Sequence, residues 1–358
     1  MENIRYKKLY IGIDMRGCPN RCKHCWLGWS KNPKLDTREL VFAAREFQLY
    51  TEKLVIEDWY REPDYADNYK ETWELCNELS GGERGPHYEL ASVWRLARDR
   101  TYAPWLRSLG VKYVQLTFFG GQEITDFFTG RTGAYRDLLK AIDLLLENGI
   151  APRIQVFVNK RNIMELQAVE DLIDELELIP RCEAIGMPFA YFVHQGSCDG
   201  ENAQFYPEWV TPADLVLIPE RMREYTLRHF DKEQLKDVFG STEAELYDML
   251  MEDSSTLDIG GSTEEPVLYI DGSFDVYPNF TGRASFWRLG NLKEDGGGTV
   301  LSRFRQNWST AQKIREAVPL CDLVTAVGNR ESQRLFGRGD YIDWLLNKYC
   351  QEQLYKKP

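Results

Sequence analysis

Apolar and polar positions alternate in short blocks along the first half of the chain. Lys-Lys-Leu-Tyr-Ile-Gly-Ile-Asp at 7–14 reads as a strand buried for most of its length. Asp36 and Thr37 offer helix caps ahead of an apolar-periodic run through Leu40, Phe42, Ala43, Phe47 and Leu49. Leu54-Val-Ile56 makes a second buried strand, and a helix follows around 65–79. Tyr88 to Val93 reads as a third strand, and the helical run from Leu96 to Leu109 is stopped by Gly110. Val111 to Phe119 gives the clearest strand, so Gly120 follows a fourth. Ala134 to Leu146 is strongly helical and closed by Gly149; Arg153 to Val158 is a fifth strand. Leu166 to Leu178 is helical, and Ala184 to Val193 is a sixth strand.

Six strands alternating with helical patterns predict an α/β chain with a partial (β/α)6 TIM-like barrel, its chemistry on loops after the strands' C-terminal ends. Thr211 to about Leu250 is helical, and 252–266 reads as an acidic, Gly/Ser-containing linker. A hairpin follows, Val267–Ile270 and Phe274–Tyr277 around Asp271-Gly272, and then more helix. The expected division is a barrel at 1–212, a helical connector at 213–258 and a smaller α+β extension at 259–358.

Composition narrows the function classes. The 358 residues are 43% hydrophobic, enough for a large core and too many for a disordered chain. No stretch approaches the ~18 apolar residues of a membrane span, and the start lacks the apolar segment of an export signal. A cytoplasmic protein is expected, with no membrane partner. A net charge of −12 argues against a nucleic-acid binder. That charge is unevenly placed: Asp237 to Gly282 holds 11 acids and no base, whereas the first 34 residues carry eight Lys/Arg against Glu2 and Asp14.

The eight cysteines say more than the charge. A disulfide framework belongs to small exported domains, which this chain is not. Three of them, Cys18, Cys22 and Cys25, form a C-x-x-x-C-x-x-C run directly after the first strand. Thiolates at this spacing can wrap one iron–sulfur cube and leave its fourth iron without a protein ligand. The alternative is a structural zinc site, although no second C-x-x-C or H-x-x-x-H pair accompanies the run.

The motif, placed after the first strand of a (β/α)6-like pattern over about residues 7–195, resembles the radical S-adenosylmethionine (radical SAM) enzymes. The resemblance implies one [4Fe–4S] cluster on Cys18, Cys22 and Cys25, and SAM chelating the open iron. Reductive cleavage of SAM then yields a 5′-deoxyadenosyl radical that abstracts a substrate hydrogen. His24 stands where the family usually places an aromatic ring near the adenine. For the segment that holds the SAM amine there are two candidates. Topology favours Glu62-Pro63, which follows the second strand, with Tyr60-Arg61 in place of the glycines; Gly120-Gly121-Gln122-Glu123 is the better string but follows the fourth. Thr117 matches a small hydroxyl near SAM, Arg131 a contact to its carboxylate, and Gln155 and Asn159 contacts to its ribose.

The segment from Leu268 to Leu292 is similar to the start of a SPASM extension, but Asn279 stands where its cysteine would be. Cys321 and Cys350 alone do not make an auxiliary cluster, so one cluster is expected, with redox-neutral chemistry: epimerisation, elimination or rearrangement. Cys198, on the loop after the sixth strand, is the candidate hydrogen donor to a substrate radical. A first strand near Lys7 leaves no leader-capturing module before it. The expected substrate is a small molecule such as an amino sugar or other cationic metabolite; the alternatives are a peptide substrate, and a non-catalytic iron–sulfur or zinc scaffold. An acidic flavodoxin or ferredoxin is the expected electron donor, drawn by the basic N-terminal segment.

Overall fold

The computed structural model describes residues 5–14, 17–28, 36–57, 64–82, 90–257, 265–278 and 283–355. Strand β1 (Tyr6–Ile13) leads into the cysteine loop, followed by α1 (Thr37–Gln48) and β2 (Thr51–Glu57). The expected cap holds, with Asp36 accepting from the Arg38 amide. Helices α2 (Tyr69–Leu79), α3 (Val93–Leu96) and α4 (Tyr102–Ser108) precede β3 (Tyr113–Phe118). Next come α5 (Gln122–Thr129), α6 (Ala134–Glu147), β4 (Ala151–Phe157), α7 (Leu166–Glu175), α8 (Leu178–Ala184) and β5 (Ala190–His194).

Two expected strands need correction. Residues 90–92 are coil and Val93 opens α3, because the Ser92 side chain accepts from the Arg95 amide and caps a helix there. Gly120 therefore follows the third strand of the described chain. Ala184 ends α8, and β5 begins only at Ala190, beyond Pro188.

The six parallel strands lie in two sheets. One runs β3-β4-β5 with every pairing parallel. In the other, β1 pairs in parallel with β2 on one side and on the other with β7 (Val267–Ile270), the first strand of the expected hairpin. The hairpin returns through β8 (Asp275–Pro278). Among the described residues, the sixth parallel strand thus comes from the segment expected to stand apart from the barrel.

Side-chain alternation sorts the strand faces. Val114, Leu116 and Phe118 of β3, Ile154 and Val156 of β4, and Tyr191 and Val193 of β5 join one core. They pack against α6, whose buried Leu138, Ala141, Ile142 and Leu145 repeat at helical spacing. The opposite face carries Gln115, Thr117, Arg153, Gln155, Phe157, Phe192 and His194, which line the inside of the curved sheet. Between β2 and β3 aromatic side chains pack on one another: Tyr69 lies 5.2 Å from Tyr102 and 4.9 Å from Trp105, and Arg95 sits 4.5 Å above the Tyr69 ring.

Between the barrel strands and the hairpin run α9 (Glu220–Phe230), α10 (Leu235–Phe239), the short β6 (Ser241–Thr242) and α11 (Glu243–Met251). After the hairpin come β9 (Gly290–Asn291), α12 (Leu292–Arg305), α13 (Thr310–Ala317), α14 (Leu320–Val327), β10 (Leu335–Phe336) and α15 (Arg338–Tyr355). Buried residues of α11, α14 and α15 share a core with Phe119, Phe128, Cys198, Phe205 and Trp209. The last helices are thereby packed against the loops at the barrel mouth.

Candidate functional site

The cysteine loop is pinned from two sides by backbone. The Arg21 and Lys23 amides donate to the carbonyls of Thr129 and Phe128, at 3.0 and 2.7 Å, at the end of α5. The Glu201 amide donates to the Cys25 carbonyl at 2.9 Å, from the loop after β5. Glycines make both approaches feasible. At Gly130 (φ +67°) a side chain would run into the Arg21 carbonyl, and at Gly200 (φ +52°) into those of Cys25 and Trp26. The Cys25 amide bonds back to the Cys22 carbonyl at 3.2 Å, tightening the turn.

Within that loop His24 points inward. Its ring lies 4.7 Å from Phe119 and 4.5 Å from Phe157, at the ends of β3 and β4. Burial, helped by the nearby His194, pulls its pKa down to about 3, so the ring is neutral; its buried Nδ1 makes no hydrogen bond. The contact to Phe119 places the cysteine loop beside the Gly120-Gly121 turn, one residue on. Gly120 (φ +141°) is pressed against the side chains of Ile124 and Glu165, and Gly121 is the N-cap of α5. Glu123 is exposed in the first turn of that helix. Glu62 and Pro63 lie outside the described residues.

Arg131 donates to the Asn20 side chain at 2.7 Å and pairs with the buried Asp137 at 2.7 Å. Its guanidinium thus ties the cysteine loop to α6. Thr117 is half-buried on the inner face of β3, in register with Gln155. Gln155 is buried and hydrogen-bonded to both Gln115 and His194. Asn159 accepts from the Arg161 amide at 2.9 Å and closes a turn beyond β4.

One residue escaped the sequence reading. Asn162, fully buried, donates to the carbonyls of Phe119 and Phe157, both at 2.7 Å, and so ties the ends of β3 and β4 together beside Gly120. No signal in the sequence separates it from any loop asparagine.

Cys198 is buried, and its thiol is pushed well up by that burial and by the charges of Asp199, Glu243 and Asp340. Burial also raises Asp199 to about 6, with Asp340 and Asp343 of α15 adding to the effect. On the outer side of the cysteine loop, Lys23 sits 4.9 Å above the exposed Phe127 ring and Arg161 5.4 Å from it.

The three cysteines suit an iron–sulfur cube. No disulfide joins them to any other cysteine, and each is partly exposed on a loop whose backbone is held in a glycine cradle. Among the described residues, no three His, Cys, Asp or Glu side chains close on one ion position. A cube binds each thiolate to a separate iron and needs no such convergence.

Residues 13–175 match the family model described as the Radical SAM superfamily. Over these residues the chain is similar to the radical SAM superfamily. A segment of 83 residues is 35% identical to the Fe-coproporphyrin III synthase of Methanosarcina barkeri (strain Fusaro / DSM 804), covering 23% of this chain and 21% of that protein. The match thus spans about a fifth of the curated relative. The fold of native anSMEcpe with bound AdoMet is similar over 97% of this chain and 98% of that one, with a TM-score of 0.52 and 14% identity. The same protein with bound AdoMet and Kp18Cys peptide has an equal likeness, with a TM-score of 0.52, 14% identity and 97% and 98% coverage. These neighbours share the fold of this chain, and the Radical SAM match over residues 13–175 implies SAM and an iron–sulfur cluster. Among the described residues, no helix is long and apolar enough to cross a membrane.

Proposed function

We propose that the chain binds one [4Fe–4S] cluster through Cys18, Cys22 and Cys25 and abstracts a hydrogen atom from a small-molecule substrate held at the barrel mouth. The placement of the cysteine loop carries this reading: it lies against the ends of β3 and β4, beside the Gly120-Gly121 turn. When bound, the cluster and SAM supply the reductive chemistry that generates the hydrogen-abstracting species.

The chain's own residues hold and shield. Gly120, Gly121 and Glu123 meet the SAM amine in this reading, with the contact of His24 to Phe119 in support, while Arg131 and Asn162 fix the loop and strand ends around it. Thr117 faces the ligand from the inner wall. Cys198, protonated and buried next to the mouth, is suited to giving a hydrogen atom to a substrate radical, in a redox-neutral reaction. Asp199, Asp340 and Asp343, each raised by burial, with Asp340 and Asp343 adding to the shift of Asp199 and Asp343 to that of Asp340, support a cationic group on the substrate. Lys23 and Arg161 around Phe127 support docking of an acidic electron donor near the cysteines.

Anaerobic reconstitution tests the reading. About four irons per chain and reductant-dependent 5′-deoxyadenosine are expected, both lost in Cys22→Ala. A Cys22→Ala protein that still makes 5′-deoxyadenosine overturns it. Loss of SAM affinity in Glu62→Ala, with Glu123→Ala unaffected, transfers the amine contact to the other segment.

A further inference from the structure

Four polar side chains cross the inner wall in a line. Arg153 donates to the Gln115 side-chain oxygen at 2.8 Å, Gln115 bonds to Gln155, and Gln155 bonds to His194 Nε2. The strand register brings them together: Gln115 pairs with Arg153 across β3 and β4, and Gln155 with Phe192 across β4 and β5.

The line has only one possible direction. A guanidinium has five N–H donors and no acceptor. Gln115 must therefore turn its oxygen to Arg153 and its NH2 to Gln155. Gln155 must then accept on its oxygen and donate from its nitrogen. The last acceptor is His194 Nε2, which carries no proton. Each amide has one oxygen to accept and one NH2 to donate, so the direction set by the guanidinium passes unchanged to the imidazole.

We infer that this relay fixes His194 as the neutral Nδ1–H tautomer and makes it a hydrogen-bond donor toward the molecule bound at the barrel mouth. Among the described residues no side chain or carbonyl bonds to His194 Nδ1. The ring sits at the C-terminal end of β5, 4.4 Å from Phe157, which in turn lies 4.5 Å from His24 of the cysteine loop. On its other side Phe192, 5.6 Å away, stacks on His229 at 3.9 Å. Burial, with His229 adding to it, lowers the His194 pKa to about 4, in keeping with a neutral ring. The group recognised is an acceptor oxygen, a carbonyl or carboxylate; an ammonium is rejected at this end of the site. His194 is a specificity-determining residue, and Arg153, Gln115 and Gln155 are positioning residues behind it. The bound molecule rests on the function proposed above, whereas the tautomer does not, so the two stand or fall separately.

Full-length protein labelled with 15N-histidine has four imidazoles, and His194→Gln identifies the signal of interest by its loss. Long-range 1H–15N correlation is expected to show His194 with a bare Nε2 and a protonated Nδ1. Gln155→Glu reverses the end of the relay, since a carboxylate can only accept; His194 must then carry a proton on Nε2. If that variant does not fold, Arg153→Met removes the donor that sets the direction, and an Nε2–H population must appear. Acetate, as a minimal acceptor, is expected to move the Nδ1–H signal, and methylammonium is not. A protonated Nε2 in the wild type, an unchanged tautomer in Gln155→Glu, or a response to methylammonium alone overturns the inference.

Discussion

The ring of His24 lies 4.7 Å from that of Phe119, so a residue between two cysteines touches the end of the strand that precedes Gly120. This contact joins the cysteine loop to the turn proposed for the SAM amine. His24→Phe keeps a ring in the gap and is expected to retain iron. His24→Ala opens a void and is expected to lower both iron content and SAM affinity, by about tenfold for the latter. Equal SAM affinity in the two variants would show that the contact is not needed.

Gly200→Ala is expected to damage the site more than its size suggests. The new methyl would strike the Cys25 and Trp26 carbonyls, and the φ of +52° adds strain. A loss of about 2 kcal/mol or more is expected, together with poor iron uptake. Gly186→Ala is the control: its φ is also positive at +74°, but no atom lies within 4 Å. There a loss of about 1 kcal/mol with normal iron is expected. Iron assay and thermal melting of both proteins decide it.

Asn162→Ala leaves the Phe119 and Phe157 carbonyls without their shared donor. Removing two buried hydrogen bonds is expected to cost about 2–4 kcal/mol. Asn162→Asp, an acceptor where a donor is required, should be no better. Urea unfolding measures the loss; a variant within 0.5 kcal/mol of wild type, roughly the effect of an ordinary surface change, would contradict the bonding described.

The pH dependence of stability has a defined sign. The His194 pKa of about 4 in the folded chain lies below the ordinary value of 6.5. Between those limits the unfolded chain binds more protons, so stability is fully present above about pH 6.5 and falls as pH drops toward 4. His194→Gln should flatten that fall, by on the order of 2 kcal/mol at about pH 4.5. Urea midpoints at two pH values, for both proteins, provide the check. Parallel losses would assign the fall to other groups.

Cys198 should resist alkylation. Its thiol is buried and held protonated, whereas Cys321 is partly exposed. Brief iodoacetamide treatment of the folded protein followed by peptide mapping is expected to label Cys321 far ahead of Cys198. Fast labelling of Cys198 would place it outside the core with Phe128 and Trp209.

Much of this was legible from periodicity and spacing. Alternation in β3 and β4 and the apolar stripe of α6 are local signals, and they mark elements whose packing agrees with them. The cysteine run is local too, and its strand-to-loop setting made the superfamily resemblance specific. Ser92 misled because a cap and a short strand share the same few residues until the partner amide is known. The relay from Arg153 to His194 was hidden for another reason: its members sit on three strands, and only register brings them together. Asn162 and the two cradle glycines serve carbonyls that are distant in sequence, which no local pattern records.

The parallel pairing of β1 with β7 bears on the order of events during synthesis. Ile13, which ends β1 before the cysteine loop, lies opposite Ile270. That partner leaves the ribosome some 250 residues after the cysteines do. The strand that carries the loop is therefore half-paired through most of translation, with only β2 beside it. The site becomes a rigid receptor for iron late, once the hairpin has docked, and chains truncated before Val267 should emerge with the cysteines in place but poorly held.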